Sequence, residues 1–219
     1  MKSTNFIILG PPASGKSTQG QLLAKLLGYV YLSSGELIKK AKNGGDDLSE
    51  EIKERFEKGI PQPDEVINKL VDAEINASVI KNFILDSYPL SLGQCKNLLG
   101  ITQKLSLGDF WLVYIDLKEN DATARMMSRK ICPICQKSYL PADKAYQQNQ
   151  CPDDKSGLTT REDDQVPVFQ VRFREYESRT AQVREYFKNM GRLVVVDGKP
   201  TIEEINNNIL GELKKRSLI

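Results

Sequence analysis

The sequence predicts an α/β fold: a parallel sheet wound with helices, interrupted by one helical insertion and by one polar, cysteine-bearing insertion. Three observations predict it. Short apolar runs, Phe6-Ile-Ile-Leu9, Asn82-Phe-Ile-Leu-Asp86 and Phe110 to Leu117, alternate with helix-length amphipathic stretches. The first run passes directly into Gly10-Pro-Pro-Ala-Ser-Gly-Lys-Ser-Thr18, a glycine-bearing turn that opens a helix. The alternation then fails twice, over 33–78, where helical patterns follow one another, and over 129–164, where polar residues, proline and cysteine replace periodicity. Strands separated by helices require crossovers, and crossovers make the sheet parallel.

Composition narrows the function. With 40% apolar and 27% charged residues, the 219-residue chain has enough apolar surface for one well-buried core with insertions. A formal charge of +2 is too small a field to argue for nucleic acid. No run of 18 apolar residues occurs, and Met1 to Asn5 leads into the first strand without a cleavable apolar region, so a cytoplasmic protein without membrane partners is expected. Histidine is absent, which removes imidazole bases and histidine-ligated metals.

Taken in order, Phe6 to Leu9 is the first strand, and the turn after it fits the spacing G-x-x-x-x-G-K-[ST] of a phosphate-binding loop. Backbone N–H groups and the helix N-terminus hold phosphate there, Lys16 adds a mobile charge, and the Ser17 hydroxyl is placed for Mg²⁺. Lys16 to Leu27 reads as a helix with Leu22, Leu23, Leu26 and Leu27 at helical spacing and Gly28 as its stop. A brief strand, Val30 to Leu32, is followed by a helix with Ser34 as candidate N-cap and by a break at Gly44 and Gly45. A second helix follows from Asp47, with Glu50 three residues on, to about Lys58; the third runs from Asp64 to about Ala77. The strand 82–86 ends in Asp86, either a plain strand-end residue or the carboxylate that holds Mg²⁺ through water beside such a loop. Ser91 with Gln94 forms a capping box for a helix to about Leu105. After the strand ending at Leu117, Arg125 and Arg129 are four apart on one helix face. A long helix, Val168 to Asn189, carries Phe173, Tyr176 and Phe187 as core contacts. Leu193 to Val196 is read as a buried strand, and Thr201 with Glu204 caps a last helix to about Arg216.

The polar insertion contains Cys132-Pro-Ile-Cys135, fifteen intervening residues, and Cys151-Pro-Asp-Asp154. This is C-x₂-C-x₁₅-C-x₂-C with Asp154 in the fourth place, a tetrahedral Zn²⁺ pattern that accepts a carboxylate ligand. All four places are filled by protein, so the metal is read as structural and as the source of ordering energy for a segment too polar to fold alone. A redox C-x-x-C pair and an empty knot are the other readings. Cys95, on a helix, is read as a small buried hydrophobe.

The order phosphate loop, Ser33-Ser-Gly-Glu36, helical insertion, Leu85-Asp-Ser-Tyr-Pro89, arginine pair, cysteine knot, Arg161-Glu-Asp-Asp164 and Val196-Asp-Gly198 resembles the adenylate kinases of the long, zinc-lid type. The resemblance covers nearly the whole chain. It implies a core of 1–32, 79–128 and 165–219, a nucleoside-monophosphate-binding insertion at 33–78 and a lid at 129–164. It also implies reversible phosphoryl transfer from Mg·ATP to AMP, and a monomer. Carried over by position, Ala13, Ser14, Gly15, Lys16, Ser17 and Thr18 would cradle ATP phosphates, with Arg129, and Ser138, Tyr139 and Lys199 would contact ATP. Ser34, Lys39, Ile60, Pro61, Gln62, Ser87, Tyr88, Pro89, Leu90 and Gln94 would form the AMP pocket. Lys16, Asp86, Arg125, Arg129, Arg161 and Arg172 would serve catalysis, Arg161 and Arg172 also clamping the acceptor phosphate, with Asp163 and Asp164 in the lid hinge region.

Three positions depart from the resemblance. Lys39 and Leu90 stand where the family pattern has arginines, and Ser87 stands where it has glycine. A charge-assisted hydrogen bond contributes roughly 1.5 to 3 kcal/mol, so losing one clamp weakens acceptor binding about 10- to 150-fold. A kinase with a weakened AMP site is therefore expected. The alternatives are a nucleoside monophosphate kinase with another acceptor base and a non-catalytic ATP-binding relative. A GTPase switch is disfavoured, because Asn68-Lys-Leu-Val-Asp72 is one residue too long for a guanine-reading N-K-x-D and lies in the helical insertion.

Overall fold

A computed structural model describes residues 4–45, 47–57, 60–135, 137–160 and 165–219. Five parallel strands form the central sheet in the order β2-β3-β1-β4-β7: β1 (Thr4–Leu9), β2 (Val30–Ser33), β3 (Phe83–Asp86), β4 (Asp109–Asp116) and β7 (Leu193–Asp197). Both faces are covered. On β1, Ile7 and Leu9 enter one apolar cluster while Phe6 and Ile8 enter the other; on β4, Leu112 and Tyr114 oppose Val113 and Ile115 in the same way. A central strand buried on both faces has to be apolar at every position, which is why these runs lack alternation in sequence. Buried Asn5 is the exception: its side chain accepts from the Phe83 N–H at 2.7 Å and donates to the Leu107 carbonyl at 2.7 Å, tying the starts of β3 and β4 to β1.

The helices α1 (Lys16–Leu27), α4 (Asp64–Ala77) and α5 (Leu92–Leu105) have the expected ends; α2 (Ser34–Ala41) and α3 (Asp47–Glu57) complete the helical insertion between β2 and β3. Lys58 and the Asp47 side chain lie outside what is described. The face of α1 corrects the leucine reading: Gln19, Gly20, Leu23 and Ala24 are buried, while Leu22 and Leu26 are exposed. Gln19 is buried because α9 (Ile202–Lys215) satisfies it, through the Ile202 carbonyl at 2.8 Å and Asn206 at 3.1 Å. The cap of α2 is Ser33, not Ser34, whose hydroxyl instead donates to the Ser87 carbonyl at 2.7 Å. At α5 only half of the expected box forms: Ser91 accepts from the Gln94 N–H, but the Gln94 carboxamide accepts from Leu90 N–H at 2.7 Å. Thr201 and Glu204 do form a complete capping box on α9.

β7 is an edge strand with one open side: Val194 and Val196 are buried, whereas Val195 is 55% exposed. Between α6 (Glu119–Ser128) and α8 (Val166–Asn189) lies the cysteine-bearing segment, with a two-stranded ribbon, β5 (Lys130–Ile131) and β6 (Ser138–Tyr139), and the single turn α7 (Lys144–Gln147). Its apolar cluster is small: Cys132, Tyr139, Cys151 and Leu158, with Ala145 and Tyr146 packed against it.

Candidate active site

The carboxyl ends of β1 and β3 converge, since Ile8 is in register with Asp86 and Asp86 with Ser33. β1 is also the strand at which the connections change direction across the sheet, the place where open parallel sheets bind ligand. The loop leaving β1 is built for close main-chain approach. A Cβ at Gly10 would lie 2.6 Å from Ser14 Oγ and 2.7 Å from the Ile115 carbonyl, and Ala13 and Gly15 take φ of 64° and 86°. Gly15 caps α1 without a side-chain acceptor, and no acidic residue occupies the first turn. The positive end of the helix therefore faces the loop with nothing of opposite charge in that turn. Ser14 Oγ is buried and has no protein partner.

Lys16 extends from the first turn of α1, near the Pro11 carbonyl at 3.5 Å and over the Tyr176 ring at 5.4 Å. Burial lowers its pKa most; the nearby Asp86 charge opposes this, and the charges of Arg172 and Arg129 lower it further. Four of the expected catalytic groups thus lie within electrostatic reach of one another. Asp86, 1% exposed, is held on both oxygens: Tyr31 Oη donates to Oδ2 at 2.6 Å and Ser87 Oγ donates to Oδ1 at 2.9 Å. The carboxylate and the Ser17 hydroxyl form an all-oxygen donor set that fits a hard cation such as Mg²⁺.

The arginines divide differently from the expectation. Arg125 is on α6 and donates to the carbonyls of Lys199 and Pro200 at 2.9 and 3.0 Å. Arg129 is not on the same helix face, because it caps α6 in an extended conformation (φ −78°, ψ 153°) at the start of β5. Arg172 is on the exposed side of α8. Arg161, Asp163 and Asp164 lie outside the described residues. Lys199 pairs with Asp121 at 3.5 Å. Ser138 is exposed on β6, but the Tyr139 side chain is buried in the cysteine segment, its hydroxyl 3.5 Å from Cys151 Sγ, so only its backbone is open to a ligand.

The expected acceptor residues are largely engaged by other protein groups. Gln94 is 2% exposed and its Nε2 donates to Asp64 Oδ1 at 2.7 Å, leaving both ends of its carboxamide engaged. Gln62 Nε2 donates to the Ile52 carbonyl at 3.0 Å, while its buried Oε1 has no partner. The Pro61 carbonyl accepts from Arg55, and Ile60 is exposed. Tyr88, followed by a cis bond to Pro89, is buried with its hydroxyl donating to Asn68 at 2.8 Å. Lys39 is exposed, and Leu90 packs against the larger core cluster. Ser87 takes φ of 58°, the left-handed region in which glycine is free of strain.

Cys132, Cys135, Cys151 and Asp154 place one ligand atom each within 4.8 Å of one another. Cys135 and Cys151 sulfurs are 3.7 Å apart, the edge of a tetrahedron with Zn–S bonds of about 2.3 Å. The N–H groups of Ile134 and Cys135 point at Cys132 Sγ from 3.3 and 3.2 Å. The Asp154 carboxyl is held well below the usual carboxylate range, first by Ser156 and then by Cys132. These residues fit a structural zinc. Cys95 is buried as expected, and burial pushes its thiol up to about 12.

Sequence reasoning missed two tyrosines. Tyr31 holds Asp86, and Tyr176, expected in the core, accepts from the Gly10 N–H at 3.0 Å and underlies Lys16. Their partners are 55 and 166 residues away, so no local spacing signals them. Among the described residues no helix is long and apolar enough to cross a membrane.

A family model for adenylate kinase matches residues 8–192. An adenylate kinase of Kosmotoga olearia is 34% identical over 212 residues, spanning 96% of this chain and 99% of its own length. Those of Dehalococcoides mccartyi (32% identical; 96% and 98% covered) and Chlamydia caviae (31%; 96% and 97%) align along similar lengths. Matches of this extent, on a phosphate loop and strand-end carboxylate arranged as described, leave one assignment: the chain belongs to the adenylate kinase family.

Proposed function

We propose that the chain transfers the γ-phosphoryl group of ATP reversibly to AMP, giving two ADP. Lys16, lying over the Tyr176 ring within reach of the charges of Asp86, Arg172 and Arg129 and beside the glycine-shaped loop after β1, carries this reading. The backbone of residues 13–18 holds the donor phosphates. Lys16, Arg129 and Arg172 are the cations that offset the charge of the group in flight, which is spread over its equatorial oxygens. The γ-phosphorus bond to the β–γ bridging oxygen breaks as a bond to an acceptor phosphate oxygen forms. That oxygen is already ionised, so the absence of histidine costs the reaction nothing. Ser17 and Asp86 would hold the Mg²⁺ that accompanies ATP, which would supply positive charge against the donor phosphates.

The segment 33–78 receives the monophosphate, and 129–164 acts as a lid that excludes water, its fold secured by Zn²⁺ on Cys132, Cys135, Cys151 and Asp154. Arg125 acts indirectly, by holding the 199–200 loop. The protein acts as a cytoplasmic monomer. Its acceptor site is weak, a reading supported by exposed Lys39, by Leu90 packed against the core cluster and by Gln94, each end of whose carboxamide already holds a protein partner. A coupled assay with AMP, CMP, UMP and GMP tests both parts. ADP formation from AMP with a high KM is expected; transfer only to another monophosphate would replace the acceptor, and tight ATP binding without transfer to any would refute the kinase.

A further inference from the structure

Tyr31 stands outside the expected catalytic set, yet its hydroxyl holds the carboxylate suited to a cation. On β2 it is in register with Ile84, so its ring enters the apolar cluster beneath α1. There α1 has a glycine in its interior, which a helix disfavours. The reason is space: a Cβ at Gly20 would lie 2.9 Å from Tyr31 Cε2. The ring is thereby seated against the first turns of the phosphate-loop helix. Its phenol donates to Asp86 Oδ2 at 2.6 Å.

We propose that Tyr31, in the slot left by Gly20, is a positioning residue that orients the Asp86 carboxylate for the divalent cation accompanying the donor phosphates. The Tyr31 proton points to Asp86 Oδ2, so the carboxylate is fixed in place and its remaining lone pairs are kept for a hard cation. Burial and the Asp86 charge both keep the phenol protonated, as a donor must be. Phenylalanine at 31 would fill the slot equally and supply no proton.

The inference rests on the kinase reading for its consequence but not for its test. Calorimetric ATP titrations with and without Mg²⁺ are compared for the wild type and Tyr31→Phe, together with kcat and both KM values. Metal-free ATP affinity within about twofold of wild type is expected, with the strengthening by Mg²⁺ cut about tenfold, kcat reduced similarly and the AMP KM unchanged. In an Asp86→Asn background the same substitution should subtract nothing further from the Mg²⁺ effect. Unchanged Mg²⁺ strengthening, or an undiminished loss in the Asp86→Asn background, would overturn the proposal. Gly20→Ala, which keeps the phenol and crowds the ring, supplies the same comparison if Tyr31→Phe does not fold: a reduced Mg²⁺ effect supports the proposal and an unchanged one overturns it. Wild-type protein that binds Mg·ATP but transfers nothing would refute the kinase reading and leave this comparison standing.

Discussion

The two sides of the cleft are built by different means. On the proposed donor side the loop is main chain, shaped by glycines and a helix end, and the groups around it are held from behind: the Asp86 carboxylate by Tyr31 and Ser87, the Gly10 N–H by Tyr176. On the acceptor side the same kinds of residue face each other. Gln94 is spent on Asp64 and Leu90, Ser34 on Ser87, and Tyr88 on Asn68. A site made of backbone is preorganised by the fold itself, whereas a site made of side chains exists only when those side chains are free to turn toward a ligand.

The largest expected effect breaks the donor side. Lys16→Met should lower turnover about a thousandfold, the scale of removing one transition-state donor in a desolvated site. Zinc content, measured on the same sample, should stay at wild-type level, because the knot and Lys16 share no contact. Turnover near wild type would mean that the main-chain cradle suffices and that the ring of cations is not the source of catalysis.

The next effect falls between the two sides. Cys151→Ala removes a buried member of the proposed zinc site from a segment whose apolar cluster is small. Loss of bound metal, protease cleavage within 130–160 and a drop in transfer of about a hundredfold are expected, with the thermal transition of the core retained. An intact, protease-resistant segment would show that metal does not hold the lid.

The contrast between the two sides also governs how much was legible in the sequence. The strand, turn and helix over 4–27 were readable because a spacing of glycines on one short segment marks them, and the grouping of Cys132, Cys135, Cys151 and Asp154 was readable from spacing in the same way. Helix ends at 16–27, 64–77 and 92–105 followed from local stop signals. What failed were statements about facing. Leu22 and Leu26 were placed on the buried side of α1, but Gln19 takes that side because α9, about 185 residues on, offers it partners. Arg129 was grouped with Arg125 by four-residue spacing, although the helix ends one residue before it. Tyr31 and Tyr176 carry no motif, since their roles exist only once distant strands and helices are packed.

The acceptor side can be sharpened by restoring a fork of charge. Leu90→Arg should lower the AMP KM about tenfold, the lower end of what a charge-assisted hydrogen bond contributes, and leave the ATP KM alone. The cost in stability should be small, because Leu90 is only partly buried against the core cluster. No change in the AMP KM would mean that position 90 does not face the acceptor phosphate.

The smallest effect concerns Ser87, where strain and hydrogen bonding oppose each other. A non-glycine residue at φ of 58° costs about 1–2 kcal/mol, and the hydrogen bond from Ser87 Oγ to the Asp86 carboxylate returns about 1.5 kcal/mol. Ser87→Gly removes both and should leave Tm within about 3 °C of wild type; Ser87→Ala keeps the strain, loses the bond and should lower Tm by about 3–6 °C. The pair also reports on the acceptor site. Only glycine lets a ligand approach the backbone at 87 more closely, so Ser87→Gly should lower the AMP KM about twofold while Ser87→Ala does not. Equal KM values for the two variants would show that the hydroxyl, and not the lost backbone access, distinguishes this acceptor loop. The weakness of the site would then rest on Lys39 and Leu90 alone.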